Sequence, residues 1–139
     1  MPMPMEYRRA SADFDAFMLD LRDQAGLATT HQTYTMLQAV LQVFRRRLTV
    51  NEAVAFAGVL PPVLRAIFVS DWEIDEPRRE FGSRATMSRE ARELRSDHNF
   101  STETAIDDVA SVLRRHVDVA AFERMLDGLP QEARAFWKD

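Results

Sequence analysis

The 139-residue chain contains no cysteine, and its four glycines stand apart from one another. Without cysteine, the protein can form no disulfide, no thiolate nucleophile and no cysteine-ligated metal site. The isolated glycines exclude both the Gly-x-x-x-x-Gly-Lys phosphate loop and the Gly-x-Ser-x-Gly turn of serine hydrolases. Disulfide scaffolds are therefore excluded, and we do not expect nucleotide hydrolysis or serine hydrolase chemistry.

The sequence also lacks a long apolar run and an excess of basic residues. No apolar run approaches the roughly 18 residues of a membrane span, and the Met-Pro-Met-Pro start lacks the regions of a signal peptide. The net charge of −4 argues against a nucleic-acid binder, which normally carries a basic surface. We expect a cytoplasmic protein with neither membrane nor nucleic acid among its partners, and with a flexible tail over residues 1–10.

No segment shows the alternation of apolar and polar residues that is typical of a β-strand. Apolar residues recur instead at three- and four-residue spacing, as in Phe14, Phe17, Met18 and Leu21, and this spacing predicts amphipathic helices.

Cap residues locate several helix ends. Gly26 provides a left-handed C-terminal cap for the first helix. Thr49 and Glu52 have the spacing of a capping box at the start of the third helix, and Asp118 stands at the corresponding position further along the chain. Ser101 is expected to cap the sixth helix.

Residues 40–68 and 109–137 are related by a constant offset of 69 positions without a gap. Of the 29 pairs, 9 are identical, where chance would give about two. The identical pairs are Val40/Val109, Val43/Val112, Arg45/Arg114, Arg46/Arg115, Val50/Val119, Leu60/Leu129, Pro61/Pro130, Arg65/Arg134 and Ala66/Ala135. This internal repeat indicates that one helical unit occurs twice.

The repeat predicts an all-α fold of about eight helices, arranged as two similar four-helix halves packed into one orthogonal bundle. The two copies span about residues 12–70 and 86–137, with a connector at about 71–85, inside a single domain over residues 11–139. Each copy, at about 60 residues, is marginal for folding alone, so we expect the halves to pack on each other.

The same segments carry a family resemblance. They include the Gly-Leu pair that ends the first helix, the Arg-Arg-x-Leu-Thr sequence that follows the second, and the Leu-Pro pair that starts the last helix of each copy. In this respect the chain resembles the bacterial domain-of-unknown-function family numbered twenty-two sixty-seven. The residues that carry the resemblance are Gly26, Leu27, Arg46, Leu48, Thr49, Glu52, Ala53, Leu60, Pro61, Leu64, Arg65, Trp72, Leu129 and Pro130. The resemblance implies an all-helical, duplicated fold, and it implies no activity because the family has none assigned.

The histidines give no sign of catalysis or metal binding. None of His31, His98 and His116 has a glutamate three residues before it, and no His-Glu-x-x-His sequence occurs. No set of nucleophile, base and orienting group can be assembled from the chain. We therefore expect a non-enzymatic protein with no catalytic residue, no metal ligand and no cofactor.

The fourth helix is the most apolar segment. Between Pro62 and Ser70 only Arg65 is polar, and a helix that is apolar all round is either buried in the core or covered by another chain. Burial within the monomer is one interpretation. The other makes this helix an interface, with the candidate residues Leu64, Ile67, Phe68 and Trp72.

Arginine is the enriched charge, since Lys138 is the only lysine among 18 basic residues. Guanidinium groups favour phosphate and carboxylate partners. Arg46 and Arg115 occupy matching positions of the repeat and are the candidate anion-binding residues, while solvated helix ends are the alternative interpretation.

Two functional hypotheses follow. The first is a non-enzymatic helical interaction module that binds a protein partner or forms a homodimer through the fourth helix. The alternative is a small-molecule or anion-binding domain with its site between the two halves.

Overall fold

The computed structural model of the protein describes residues 2–94 and 101–138. These residues form helices joined by turns and contain no β-strand, which confirms the predicted all-α class. The helices are α1 (Met5–Arg8), α2 (Ala10–Ala25), α3 (Thr30–Arg45), α4 (Val50–Ala57), α5 (Pro62–Val69), α6 (Arg84–Glu93), α7 (Ala105–Arg115), α8 (Val119–Asp127) and α9 (Gln131–Phe136).

The first helix was not predicted. Residues 5–8, which the sequence assigned to a flexible tail, form α1 and bury no side chain. Arg65 of α5 holds this helix weakly, 3.5 Å from the Tyr7 hydroxyl and 3.8 Å from the Glu6 carboxylate. Exposed pairs of this kind contribute little to stability, because water competes for both charges.

Most of the predicted caps are confirmed. Gly26 ends α2 in the left-handed conformation with φ 70°. Thr49 and Glu52 form the reciprocal capping box of α4, and Asp118 accepts a backbone amide at the start of α8. The cap predicted at Ser101 is wrong, because α7 begins four residues beyond it.

Each of the two long helices α2 and α3 packs chiefly against a helix that lies far away in the sequence. α2 packs chiefly against α7, and α3 packs chiefly against α6. In the predicted repeat, α2 corresponds to α6 and α3 corresponds to α7. The contact of α2 with α7 in one copy is therefore the counterpart of the contact of α6 with α3. The apolar faces of α2 and α3 are therefore covered largely by α7 and α6.

Aromatic rings fill the centre of the bundle. The ring of Phe56 lies 4.8, 5.0, 6.2 and 5.2 Å from the rings of Phe44, Phe68, Phe122 and Trp137. All five side chains are fully buried. Because they come from five different segments, this cluster joins α3, α4, α5, α8 and the end of α9.

Two arginines hold the ends of the last helix in each half. Arg45 donates from Nη1 to the carbonyl of Phe68 at 2.9 Å, and Arg114 donates from Nη2 to the carbonyl of Trp137 at 2.7 Å. A carbonyl at a helix end has no partner within the helix, so each guanidinium satisfies an otherwise unpaired acceptor.

A second pair of arginines closes the turn before those helices. Arg65 donates from Nη2 to the carbonyl of Leu60 at 2.9 Å, and Arg134 donates from Nη1 to the carbonyl of Leu129 at 3.1 Å. Both members of each bond are related by the 69-residue offset. Equivalent positions of the repeat thus make equivalent hydrogen bonds.

The carboxylate of Glu90 on α6 ties that helix to the end of α3 and to the connector. Arg47 donates to both of its oxygens at 2.9 and 3.0 Å, Arg79 donates at 2.9 Å, and Arg46 lies 3.6 Å away. Burial by itself would raise the pKa of Glu90. The hydrogen bonds and charges of Arg47 and Arg79 outweigh this effect, and the pKa lies below its ordinary value.

We expect Phe56→Ala to lower the free energy of unfolding by about 3–5 kcal/mol, because it opens a cavity among four rings. Urea denaturation followed by circular dichroism measures the change. Val54→Ala on the same helix is the control and should change stability by less than about 0.5 kcal/mol, since Val54 is 64% exposed. A loss of less than about 1 kcal/mol for Phe56→Ala would contradict the central position of this ring.

We expect Glu90→Gln to destabilise the protein at pH 7 by about 1–3 kcal/mol, because Arg47 loses its carboxylate while it remains buried. A carboxyl group with a lowered folded-state pKa stabilises fully above its unfolded value, and the contribution is lost as the pH falls through the folded value. The wild type should therefore lose its advantage over the variant below about pH 4. Urea titrations between pH 7 and pH 3 test this, with exposed Glu93→Gln as the control, and a pH-independent difference would contradict it.

Candidate functional site

The predicted interface helix is part of the core. Leu64, Ile67 and Phe68 of α5 are 1%, 6% and 0% exposed, because α5 packs on α2 and α3 and lends Phe68 to the aromatic centre. The prediction that these three residues form an exposed partner surface is therefore corrected. The structure shows the alternative interpretation, which is burial within the monomer. Only Trp72 of the predicted set remains partly exposed.

The two candidate anion-binding arginines are held by different groups. Arg46 lies 3.7 Å from the Glu76 carboxylate and close to Glu90, beside the connector and α6. Arg115 instead donates to Asp20 of α2 at 2.8 Å. The structure thus places each arginine in a separate ion pair and does not join them in a shared site.

A groove of about 360 Å³ lies where the end of α3, the start of α4 and the connector meet. We call it the connector groove. It brings together one residue from each predicted set, Trp72 and Arg46. Its lining residues are Arg45, Arg46, Leu48, Thr49, Val50, Trp72, Glu73, Ile74, Glu76, Pro77 and Arg78.

The backbone of the connector is fixed on both sides of the groove. Asp71 follows α5 with φ 53°, a left-handed conformation that redirects the chain toward the end of α3. The amide of Glu76 then closes a turn by donating to the carbonyl of Glu73 at 3.0 Å. Farther along, the amide of Arg79 donates to the carbonyl of Arg46 at 3.0 Å. These bonds position the segment that carries Trp72 and Ile74.

The rim of the groove is apolar and open to water. Ile74 is 64% exposed and Val50 is 48% exposed, while Trp72 is half-buried and packs against the core. Water gains no hydrogen bond from these side chains, so covering them is favourable at roughly 25 cal/mol per Å² of apolar surface.

The floor of the groove contains a buried cation. Arg45 is 5% exposed, donates from Nη1 to the carbonyls of Phe68 and Ser70, and places its guanidinium carbon 5.4 Å from the centre of the Trp72 ring. Its Nε is buried without a hydrogen-bond partner. Burial, and then the charge of Arg46, lowers the pKa of Arg45 below its ordinary value, although the carboxylates of Glu76 and Asp71 act in the opposite direction. A guanidinium stays protonated at neutral pH.

Sequence reasoning missed Arg45, Val50 and Ile74. The run of three arginines was interpreted as charge that suits a helix end, and a connector without periodicity gives no indication of which side chains it exposes. For Val50 the internal repeat was an available signal, because it places Val50 and Val119 at the first position of corresponding helices.

The two histidines that the structure describes do not form a site. His31 is exposed on α3, and the Nε2 atom of His116 lies 2.9 Å from Oδ2 of Asp20. His98 lies outside the described residues. Over residues 2–94 and 101–138, no three histidine, aspartate or glutamate side chains are grouped to hold a metal ion. Within the same ranges no helix has the length and apolarity to cross a bilayer.

Comparisons with known proteins agree with the resemblance carried by the Leu-Pro pairs and the Arg-Arg-x-Leu-Thr sequence. No curated protein matches the chain. A protein-family model described as "Uncharacterized conserved protein (DUF2267)" matches residues 14–136, which is nearly the whole helical domain. The resemblance is thereby confirmed, and the chain belongs to the DUF2267 family.

Proposed function

We propose that the protein is a non-enzymatic interaction module that docks a segment of a partner protein in the connector groove. The observation that carries this proposal is the pair of exposed apolar side chains, Val50 and Ile74, which line the groove together with the half-buried Trp72 ring. Protein interfaces typically combine an apolar centre with a charged rim and are enriched in tryptophan and arginine. The connector groove likewise combines apolar side chains with tryptophan and arginine.

The shape of the groove favours an extended segment over a folded surface. Its volume of about 360 Å³ holds only a few side chains. An interface of two folded surfaces normally buries about 800 Å² per partner. A short segment that inserts one or two apolar side chains suits the groove better.

A second candidate function is the binding of a small anionic molecule in the same groove. The observation that favours it is Arg45, a buried guanidinium with an unpartnered Nε. Of the two predicted anion-binding residues, Arg46 lines this groove, whereas Arg115 is not among its lining residues.

We expect Val50→Asp to weaken docking at least tenfold, because it places a charge on the apolar rim that must lose its water when a segment binds. The probe is a displayed library of random 12-residue peptides selected on the wild type, followed by calorimetric titration of the recovered peptides. Val119→Asp is the matched control, since Val119 begins α8 as Val50 begins α4 and both are 48% exposed.

Both substitutions place an acidic residue in the first turn of a helix, where it is favourable, so both variants should keep the wild-type melting temperature. Equal binding of the peptides to the two variants, or a selection that enriches no peptide, would overturn the proposal. A dimer that sedimentation detects in the wild type and in Val119→Asp but not in Val50→Asp would replace the partner segment with a second copy of the chain.

A further inference from the structure

A second groove, of about 460 Å³, lies along one face of α6. We call it the α6 groove. The described residues that line it are Arg84, Ala85, Ser88, Arg89, Arg92 and Glu103. Five of them lie on α6 at three- and four-residue spacing, so they share a face of that helix. None of the six lines the connector groove, and a groove of this volume can hold a small molecule.

The hydroxyl of Ser88 is the buried polar group of the α6 groove. Ser88 is 7% exposed, and within the part of the chain that the structure describes its hydroxyl has no hydrogen-bond partner. The two buried hydroxyls of α3 are satisfied, since those of Thr33 and Thr35 each donate to the carbonyl four residues earlier, at 2.8 and 3.2 Å. A buried hydroxyl without a partner is costly, so an acceptor that enters the α6 groove gains a hydrogen bond from Ser88 at no loss to the fold.

Two arginines of the α6 groove have charges that no described carboxylate pairs. Arg89 forms no hydrogen bond or ion pair with any described residue. Arg92 uses only its Nε, which donates to the carbonyl of Ser101 at 3.3 Å. Arg84 differs, because it lies 3.1 Å from the Asp107 carboxylate and its charge is already compensated. Two positive charges therefore remain available beside the buried hydroxyl.

The first long helix of the other copy has a corresponding groove with a different lining. At an offset of 73 residues, apolar positions of α2 and α6 match. The matching pairs are Phe14/Met87, Met18/Ala91 and Leu21/Leu94. The same offset relates Ser88 to Asp15 and Arg92 to Leu19. Asp15 and Leu19 line a groove of about 510 Å³. The fold thus forms a groove at this place in both copies, and it requires neither the arginine nor the buried serine there.

We propose that the α6 groove binds the phosphate group of a small molecule, which is either inorganic phosphate or a phosphate monoester. Arg89 and Arg92 supply two positive charges for a dianion, and Ser88 donates its hydroxyl to a phosphate oxygen. Guanidinium groups bind phosphate through paired hydrogen bonds that also fix its orientation. Glu103 lines the same groove and opposes a polyanion such as nucleic acid. This site is separate from the connector groove and does not depend on the docking function.

The charge of the ligand is tested with phenyl phosphate and its isostere phenyl sulfate. The sulfate has one negative charge, whereas the phosphate has two above its second pKa of about 6. In calorimetric titrations at pH 8 and about 0.15 M salt, we expect phenyl phosphate to bind at least tenfold more tightly than phenyl sulfate. At pH 5 the two affinities should agree within threefold, because the phosphate then has a single charge. Phenyl sulfate, whose charge is constant, reports any effect of pH on the protein itself.

Inorganic phosphate identifies the source of the group. An affinity within threefold of that of phenyl phosphate indicates the free anion, and a weaker one indicates an ester. Equal binding of phenyl phosphate and phenyl sulfate at pH 8, or no binding of either phosphate, contradicts the assignment of a dianion site.

Arg89→Leu removes a charge of the α6 groove without removing an ion pair or hydrogen bond among the described residues. We expect it to weaken the binding of phenyl phosphate at least tenfold. Arg124→Leu on α8 is the matched control, since Arg124 is exposed and forms no ion pair with a described residue. Both variants lose the same net charge, so only a local effect separates them. Arg124→Leu should bind phenyl phosphate within twofold of the wild-type affinity.

Ser88→Ala tests the buried hydroxyl. We expect it to weaken phenyl phosphate binding at least fivefold without lowering the melting temperature, because the hydroxyl has no partner to lose in the free protein. In ¹H–¹⁵N spectra of the arginine Nε groups, phenyl phosphate should shift the resonance that Arg89→Leu lacks and leave that of Arg124 in place. Wild-type affinity in either Arg89→Leu or Ser88→Ala refutes the proposed site. Peptides selected on the connector groove should bind Arg89→Leu unchanged, so the two proposals fail independently.

Discussion

The guanidinium of Arg45 is the interaction on which the first half of the structure depends. It belongs to the end of α3, donates to two carbonyls at the end of α5, and lies against the Trp72 ring of the connector. A buried charge is tolerated only where hydrogen bonds replace its lost hydration. The contacts of this one side chain therefore hold the end of α3, the end of α5 and the connector together. The connector groove is the space between these three segments.

The short helices impose a second constraint. α4, α5, α8 and α9 contain between six and nine residues, too few to be stable as isolated helices. Each one is stabilised by contributing apolar side chains to the common core that the long helices also cover. Because α2 and α3 have their main partners in α7 and α6, the loss of any one of these helices exposes apolar surface of its partner. Cooperative unfolding of the whole domain is the consequence.

The sequence predicted those features that depend only on residues close to one another along the chain. The cap at Thr49 and the one at Asp118 were predictable because each needs residues within one turn. The cap at Ser101 was wrong because spacing alone does not say where packing starts a helix. The placement of Phe68 in the core required knowing what surrounds α5. The approach of Trp72 to Arg45 was unpredictable because the connector has no periodicity from which its path could be inferred.

The repeat supplies an internal comparison that most single chains lack. Where two positions related by the 69-residue offset make the same contacts, as Arg65 and Arg134 do, the fold alone accounts for both. A departure from equivalence is different, because the other half shows that the fold does not need it. Val54 in place of Glu123 is such a departure, since Glu123 forms an ion pair with Arg114 whereas Val54 is an exposed apolar side chain. The contacts that the two copies share are therefore explained by the fold, and a position at which they differ is one that the fold does not constrain.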